Sequence, residues 1–378
     1  MTTRARSSRS LKWVVALLSL CAGIAIAETL LRYSLFHTTI ELAAKDPAYY
    51  ARTLDELWVY RYLFSPAKGW AVAPGQRNPN NESAIEFYRK WATSLVPDKE
   101  LGYVRAADIR TPCHETTHLA TRGTREYPAE GSKIVFLGDS FVESAACSGN
   151  TLTTKLERLT GIDTLNYGVG GYGVDQIYLY LKRILPAYDR SDCLILLGLI
   201  QDDLDRALLA VRTSPKPYFT VRDGALLLHT EHIHAASLND YYRQPPQRFY
   251  LYYFLRGRLG YPVYDSLLKD TRELRRNAVF AVSELMFKDI ARLARQGKFK
   301  LAVVVFPTPG NPFDHGMLSL IRAQGIPVAD LQGCMTGRPD TELYAELHPT
   351  SAGNDMLANC LARDLSKMGL LPASAHGG

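Results

Sequence analysis

From Ser132 onward, short apolar runs alternate with segments whose apolar residues recur every three or four positions. "KIVFL", "IDTLNYG", "DCLILLGLI", "KFKLAVVVFP" and "IPVADL" read as strands. The third run is continuously apolar, the pattern of a strand buried on both faces. Between them, "TLTTKLERL" places Leu152, Leu156 and Leu159 on one helical face, and "QIYLYLKRIL" is a second helix. "AVFAVSELMFKDIARLARQG" is the clearest helix. It keeps Val279, Val282, Met286, Ile290 and Leu293 on one stripe and is capped by Gly297. Strands alternating with helices predict an α/β fold with a mainly parallel sheet covered on both faces.

The alternation fails in two places. Upstream, residues 37–130 form a mixed extension. In it "RTLDELWVYRYLF" reads as a helix on Leu54, Leu57, Tyr60 and Leu63, followed by the turn-rich loop "SPAKGWAVAPGQRNPNNES". Between Asp205 and Arg275 lies an insertion, about residues 206–275, with seven tyrosines from Tyr241 to Tyr264. An insertion there would lie over the carboxyl edge of the sheet, where such folds bind ligands. Its aromatics suit packing and sugar stacking alike.

The N-terminus has a basic flank, "MTTRARSSRSLK", followed by the uncharged apolar run "WVVALLSLCAGIAIA". This is the arrangement of an export signal. Residues 1–36 are either an uncleaved anchor or a signal removed near Ala27. In both cases the body of the protein faces the periplasmic or extracytoplasmic side. The 378 residues carry a formal charge of +6, part of it in that flank, with no basic stripe and no zinc-finger spacing, which argues against nucleic acid as a partner. Export permits disulfides. Cys113 and Cys147, in loops flanking the first strand, are the best pair. Cys193 and Cys360 read as buried core thiols, and the odd number of cysteines after Cys21 leaves at least one thiol free.

The candidate chemistry sits at strand ends. "KIVFL" stops at Gly138-Asp139-Ser140, which can deliver a serine to a cleft. A serine nucleophile needs a base and donors for an oxyanion. His348, in "AELHPTSAG", is the base candidate, and Glu346 lies two residues before it, placed to orient the imidazole. The loop "NYGVGGYGVDQ" has four glycines that let backbone approach a ligand. It has neither P-loop nor dinucleotide-loop spacing, so no cofactor is expected. His229, His232 and His234 have no convincing metal-site frame, and no metal is expected either.

Taken in order, "GDSF", "NYGVGG", "GLIQDD" and "ELHPTSAG" resemble the sequence blocks of the SGNH/GDSL hydrolase family, over residues 131–372. The resemblance implies a flavodoxin-like three-layer α/β/α sandwich. It implies a serine mechanism for hydrolysing esters or moving acyl groups, with Ser140 as nucleophile, His348 as base and Glu346 behind it. The oxyanion would be held at Ser140 and Gly171, with help from Gln201 or Asp202. Exported, anchored relatives often act on O-acetylated or otherwise acylated polysaccharides, so the expected partners are a small or polymeric ester, the membrane through the N-terminal helix, and envelope polysaccharide machinery. The chain departs from the family pattern twice. Asp202 stands where an asparagine is usual, and an ionised aspartate cannot donate a hydrogen bond. Glu346 stands for the usual aspartate. The first departure leaves open an alternative: a catalytically impaired protein of this fold that binds or scaffolds polysaccharide machinery.

Overall fold

The apolar runs do form strands, and all of them except the short last one are buried on both faces along almost their whole length. The computed structural model describes residues 11–30, 94–123, 125–208, 216–230, 233, 251, 260–345 and 347–372. In chain order its strands are β1 (Leu95–Asp98), β2 (Gly102–Arg105), β3 (Lys133–Gly138), β4 (Asp163–Gly168), β5 (Cys193–Leu199), β6 (Tyr218–Arg222), β7 (Ala225–His229), β8 (Lys300–Val305), β9 (Val328–Asp330), β10 (Tyr344–Ala345) and β11 (His348–Pro349). A five-stranded, all-parallel sheet has the order β4-β3-β5-β8-β9. Numbered along the sheet's own strands this is 2-1-3-4-5, the flavodoxin-like order.

The two-residue period of a strand divides the core. Ile134, Phe136, Leu194, Leu196, Ala302 and Val304 pack with Leu152 and Leu156 of the helix Leu152–Thr160 and with Leu357, Leu361 and Leu365 of the helix Ser351–Lys367. The alternate residues Val135, Leu137, Ile195, Leu197, Val303 and Val305 are equally buried, and the helix Val174–Tyr188 lies against β3 and β5. Fully burying such side chains stabilises by about 1.5–3 kcal/mol each. This is why the sheet reads as continuous apolar runs rather than alternating ones.

By compactness the chain divides into two units. One comprises Met1–Ala92 and Ala235–Arg272. In it, the helix Leu11–Leu30 is long and apolar enough to cross a membrane, as a signal sequence near an N-terminus also is. It continues through Ala27, and Glu28 Oε2 accepts a hydrogen bond from the Leu251 N–H at 2.8 Å. The helix expected at Leu54–Leu63, the loop after it and most of the tyrosine-rich insertion lie outside the described residues. The other unit, Thr93–His234 and Glu273–Gly378, holds every strand found among the described residues. It includes the β1–β2 hairpin, in which Leu101 and Tyr103 are buried without exposure.

Among the elements with no legible pattern are the β1–β2 hairpin, the antiparallel β6–β7 hairpin inside the insertion, and the helix His315–Ala323. Lys216, just before β6, has a buried ammonium that pairs with buried Asp175 and donates to the Arg206 carbonyl at 3.2 Å. The helix Gly260–Gln296 ends with the Gly297 N–H on the Leu293 carbonyl, at 2.8 Å. A Cβ at Gly297 would fall 2.4 Å from the Phe299 ring, so close approach of that ring is what requires glycine there.

Cys113 is bonded to Cys147, and Cys193 is a buried free thiol. Cys360 corrects the reading from the sequence: it is bonded to Cys334 and is only partly buried. It lies on the helix Ser351–Lys367 at the margin of the apolar stripe, packed against the core together with Cys334. Closing loops of 34 and 26 residues stabilises by about 3–4 kcal/mol each in the chain-entropy account.

Beside the first disulfide, His114 is half-buried with its Nε2 unpartnered among the described residues. Burial, and then the Arg122 guanidinium, push its imidazole down to about 4 from an ordinary 6.5, while Glu143 acts the other way and Arg105 adds to the depression. The folded chain keeps His114 neutral where the unfolded chain would take up a proton. Stability is therefore present above pH 6.5 and is lost as the pH falls towards 4. His114→Gln should flatten that limb of the plot of Tm against pH, and an unchanged slope would contradict this account.

Candidate active site

β3 and β5 are neighbours whose chain connections leave in opposite directions, so the crevice beyond their carboxyl ends is the switch point of the sheet. β3 ends at Gly138, and the short helix Ser140–Glu143 begins immediately after it. Asp139 caps that helix, its Oδ1 accepting from the Phe141 N–H at 2.8 Å. The helix can sit down on the strand ends because Gly138 is in register with Gly168, and Gly198 lies one residue beyond the Leu137–Leu197 pair. A Cβ on Gly138 or Gly198 would fall 2.3 or 2.5 Å from Val142 Cγ2, and one on Gly168 would fall 2.3 Å from the Glu143 nitrogen. Three adjacent strand ends thus leave a hole that Val142 fills, and this seats Ser140.

His348 reaches Ser140 from 208 residues downstream: its Nε2 lies 2.9 Å from Ser140 Oγ. The histidine is held in the tight β10–β11 hairpin, where it pairs with Ala345. Its ring packs on Phe141 at a centroid distance of 5.5 Å, and Thr350 caps the helix that follows. Leu347, in the hairpin turn, has φ 69°, a left-handed conformation that costs a non-glycine residue roughly 1–2 kcal/mol. Glu346 lies outside the described residues.

Beneath Ser140 is a buried ionic cluster that sequence reasoning missed. Asp139 Oδ2 is 3.3 Å from Ser140 Oγ and accepts from Arg206 Nη1 at 3.1 Å. The same Nη1 donates to Asp203 Oδ1 at 2.7 Å and to the Tyr172 carbonyl at 3.0 Å. Asp203 also accepts from the Ile200 N–H at 2.9 Å, closing the turn after β5. Burial, and then the nearby Asp139 carboxylate, push the Asp203 carboxyl well above the usual carboxylate range. Asp139 and the "DDLDR" run were in plain view in the sequence, but nothing local shows that they converge.

The glycine loop is a β-turn from Val169 to Tyr172, closed by the Tyr172 N–H on the Val169 carbonyl at 3.2 Å. Gly171 has φ 80°, the value that the third position of a type II turn demands. Gln201 and Asp202 open the short helix after β5. Gln201 Oε1 accepts from the Asp314 N–H at 2.9 Å, which leaves its NH₂ end for other partners. Asp202 Oδ1 accepts from Asn311 Nδ2 at 2.8 Å, and its Oδ2 is 3.9 Å from Arg206 Nη2. The charge that the sequence placed at an oxyanion position is thus compensated by an amide from the loop after β8 and by a guanidinium. His229 is placed in β7, stacked on Tyr218, while His232 and His234 lie outside the described residues.

No family model matches the chain, and no curated protein matches it. Among solved structures it is similar to a member of the lipolytic protein G-D-S-L family from Veillonella parvula (14% identity, 63% of this chain and 100% of that one, TM-score 0.34). It is likewise similar to a lipase/acylhydrolase from Enterococcus faecalis (15%, 65% and 100%, TM-score 0.34). A third likeness is to a two-domain esterase active on acetylated mannans (13%, 66% and 52%, TM-score 0.35). At these values none of the three carries an activity across to this chain.

Proposed function

We propose that this chain is a serine esterase or acyltransferase that acts on an acylated carbohydrate, such as an O-acetylated one, or on another ester outside the cytoplasmic membrane. The observation that carries the reading is the 2.9 Å approach of His348 Nε2 to Ser140 Oγ at the switch point of a parallel sheet. His348 takes the Ser140 proton as Oγ attacks the ester carbonyl. The negative charge that develops on the carbonyl oxygen is met by the N–H groups of Ser140 and Gly171 and by the Gln201 amide. Collapse of the tetrahedral intermediate expels the alcohol, which His348 protonates. Water or a sugar hydroxyl then attacks the acyl-serine, and the same residues return the enzyme to its starting state. Glu346, two positions before the base, is the proposed carboxylate behind His348. Two disulfides and an N-terminal helix of membrane-crossing length support an exported, anchored protein.

The test is labelling with a fluorophosphonate, followed by assay of acetate release from acetylated saccharides. Labelling of the wild-type chain that disappears in Ser140→Ala is expected. A wild-type chain that is neither labelled nor active would turn the reading towards the binding or scaffolding role.

A further inference from the structure

Gly170, the residue before the proposed oxyanion donor, is held at both of its polar atoms. Its N–H donates to Glu143 Oε2 at 2.6 Å. Its carbonyl accepts from the Tyr103 hydroxyl at 3.1 Å. Glu143 is the last residue of the nucleophile's own helix, and its other oxygen is 3.3 Å from Arg105 Nη2. Tyr103 and Arg105 both come from β2, and all three side chains are buried. The Tyr103 ring packs edge-on against Tyr172, whose hydroxyl donates to the Tyr103 carbonyl at 2.6 Å.

The peptide that these contacts hold is the one that can flip. In a β-turn the peptide between the two central residues adopts either of two opposite orientations, which distinguish type I from type II. Here it joins Gly170 to Gly171, and two glycines resist neither orientation. In a trans peptide the C=O and the following N–H point in opposite directions. A hydroxyl on the Gly170 carbonyl therefore fixes where the Gly171 N–H points. Gly171 is partly exposed, and its N–H has no acceptor among the described residues.

We propose that Tyr103 and Glu143 are positioning residues that lock the Gly170–Gly171 peptide in the orientation that presents the Gly171 N–H to the oxyanion. Tyr103 sets the direction of the peptide, and Glu143 fixes its distance from the helix that carries Ser140. Arg105 meets the carboxylate charge in a buried place. The inference rests on the esterase reading above, and it makes the β1–β2 hairpin part of the catalytic apparatus.

The test uses the full-length chain in detergent, p-nitrophenyl acetate as substrate, and a phenylboronic acid that forms a tetrahedral adduct on the nucleophile. Tyr103→Phe removes one hydroxyl and keeps the ring packing. It should lower kcat by about tenfold or more, a fraction of the roughly 100- to 1000-fold cost of losing a donor outright. KM should change by less than about threefold, and the boronate inhibition constant should rise by the same factor as kcat/KM falls. A role in folding alone would not move those two quantities together. Glu143→Gln keeps an acceptor oxygen for the Gly170 N–H and should lose less activity than Tyr103→Phe. Unchanged kcat and boronate binding in Tyr103→Phe, in a wild-type background that labels at Ser140, overturns this inference alone. A wild-type chain without labelling or turnover overturns the inference together with the reading it rests on.

Discussion

His348→Gln is expected to lower ester turnover by roughly 10⁴- to 10⁶-fold, the scale at which removing the base of a serine mechanism acts. Glutamine can still hydrogen-bond Ser140, so the contact at 2.9 Å need not vanish. What it cannot do is take the proton as Oγ attacks and return it to the leaving alcohol. The fold should tolerate the change. His348 is only partly buried, and the hairpin around it is held by backbone pairing and by the Thr350 cap. The measurement is kcat for a chromogenic ester beside the Tm of each chain. Activity above about one per cent of wild type, with an unchanged Tm, would remove His348 from the mechanism.

A second large effect is expected at Arg206. Its guanidinium is the cation between two carboxylates with no exposure, Asp139 and Asp203. Arg206→Met keeps apolar bulk and removes the charge, leaving both acids without it. Breaking a buried pair from one side typically costs about 3–5 kcal/mol. The effect should depend on pH. The Asp203 carboxyl is held above its unfolded range, so the folded chain holds its proton more tightly than the unfolded chain does. Stability then falls as the pH rises out of the acidic range, and the deficit of the variant should be largest at neutral pH and shrink towards pH 4. Denaturant unfolding at several pH values measures this, and Asp203→Asn in the same chain should recover part of the loss. Catalysis should suffer too, because Asp139 caps the helix that carries the proposed nucleophile and lies 3.3 Å from Ser140 Oγ. A deficit below about 1 kcal/mol at neutral pH would show that the cluster is better solvated than its burial implies.

The sheet was legible because its strands are buried on both faces. Such strands must be apolar at nearly every position, and the helices between them must be apolar on one stripe, so burial writes itself into local sequence. The serine and the histidine were legible for other reasons: Gly138 marks the strand end just before Ser140, and His348 follows Glu346 at two-residue spacing in a segment that resembles the family's histidine block. The hairpin β1–β2 was not legible. Its strands are four residues long, and buried Arg105 reads in sequence as a surface residue. Cys360 was misread because periodicity alone does not say which side of a helix faces a partner loop.

By itself, the sequence determined the α/β alternation, the strand ends that offer Ser140 and the glycine turn, and the basic-then-apolar N-terminus. These follow from local rules of burial period, turn conformation and charge next to apolar chain. Only the tertiary structure decided which distant groups meet. It brought His348 to Ser140, set Arg206 between Asp139 and Asp203, gave Asp202 the Asn311 amide, and closed Tyr103 and Glu143 on Gly170. Such contacts depend on the crossing of strands and loops far apart in the chain, and their donors and acceptors are residue types that water would satisfy equally well. No local pattern distinguishes a polar side chain bound for the interior from one bound for the surface until the fold has taken the water away.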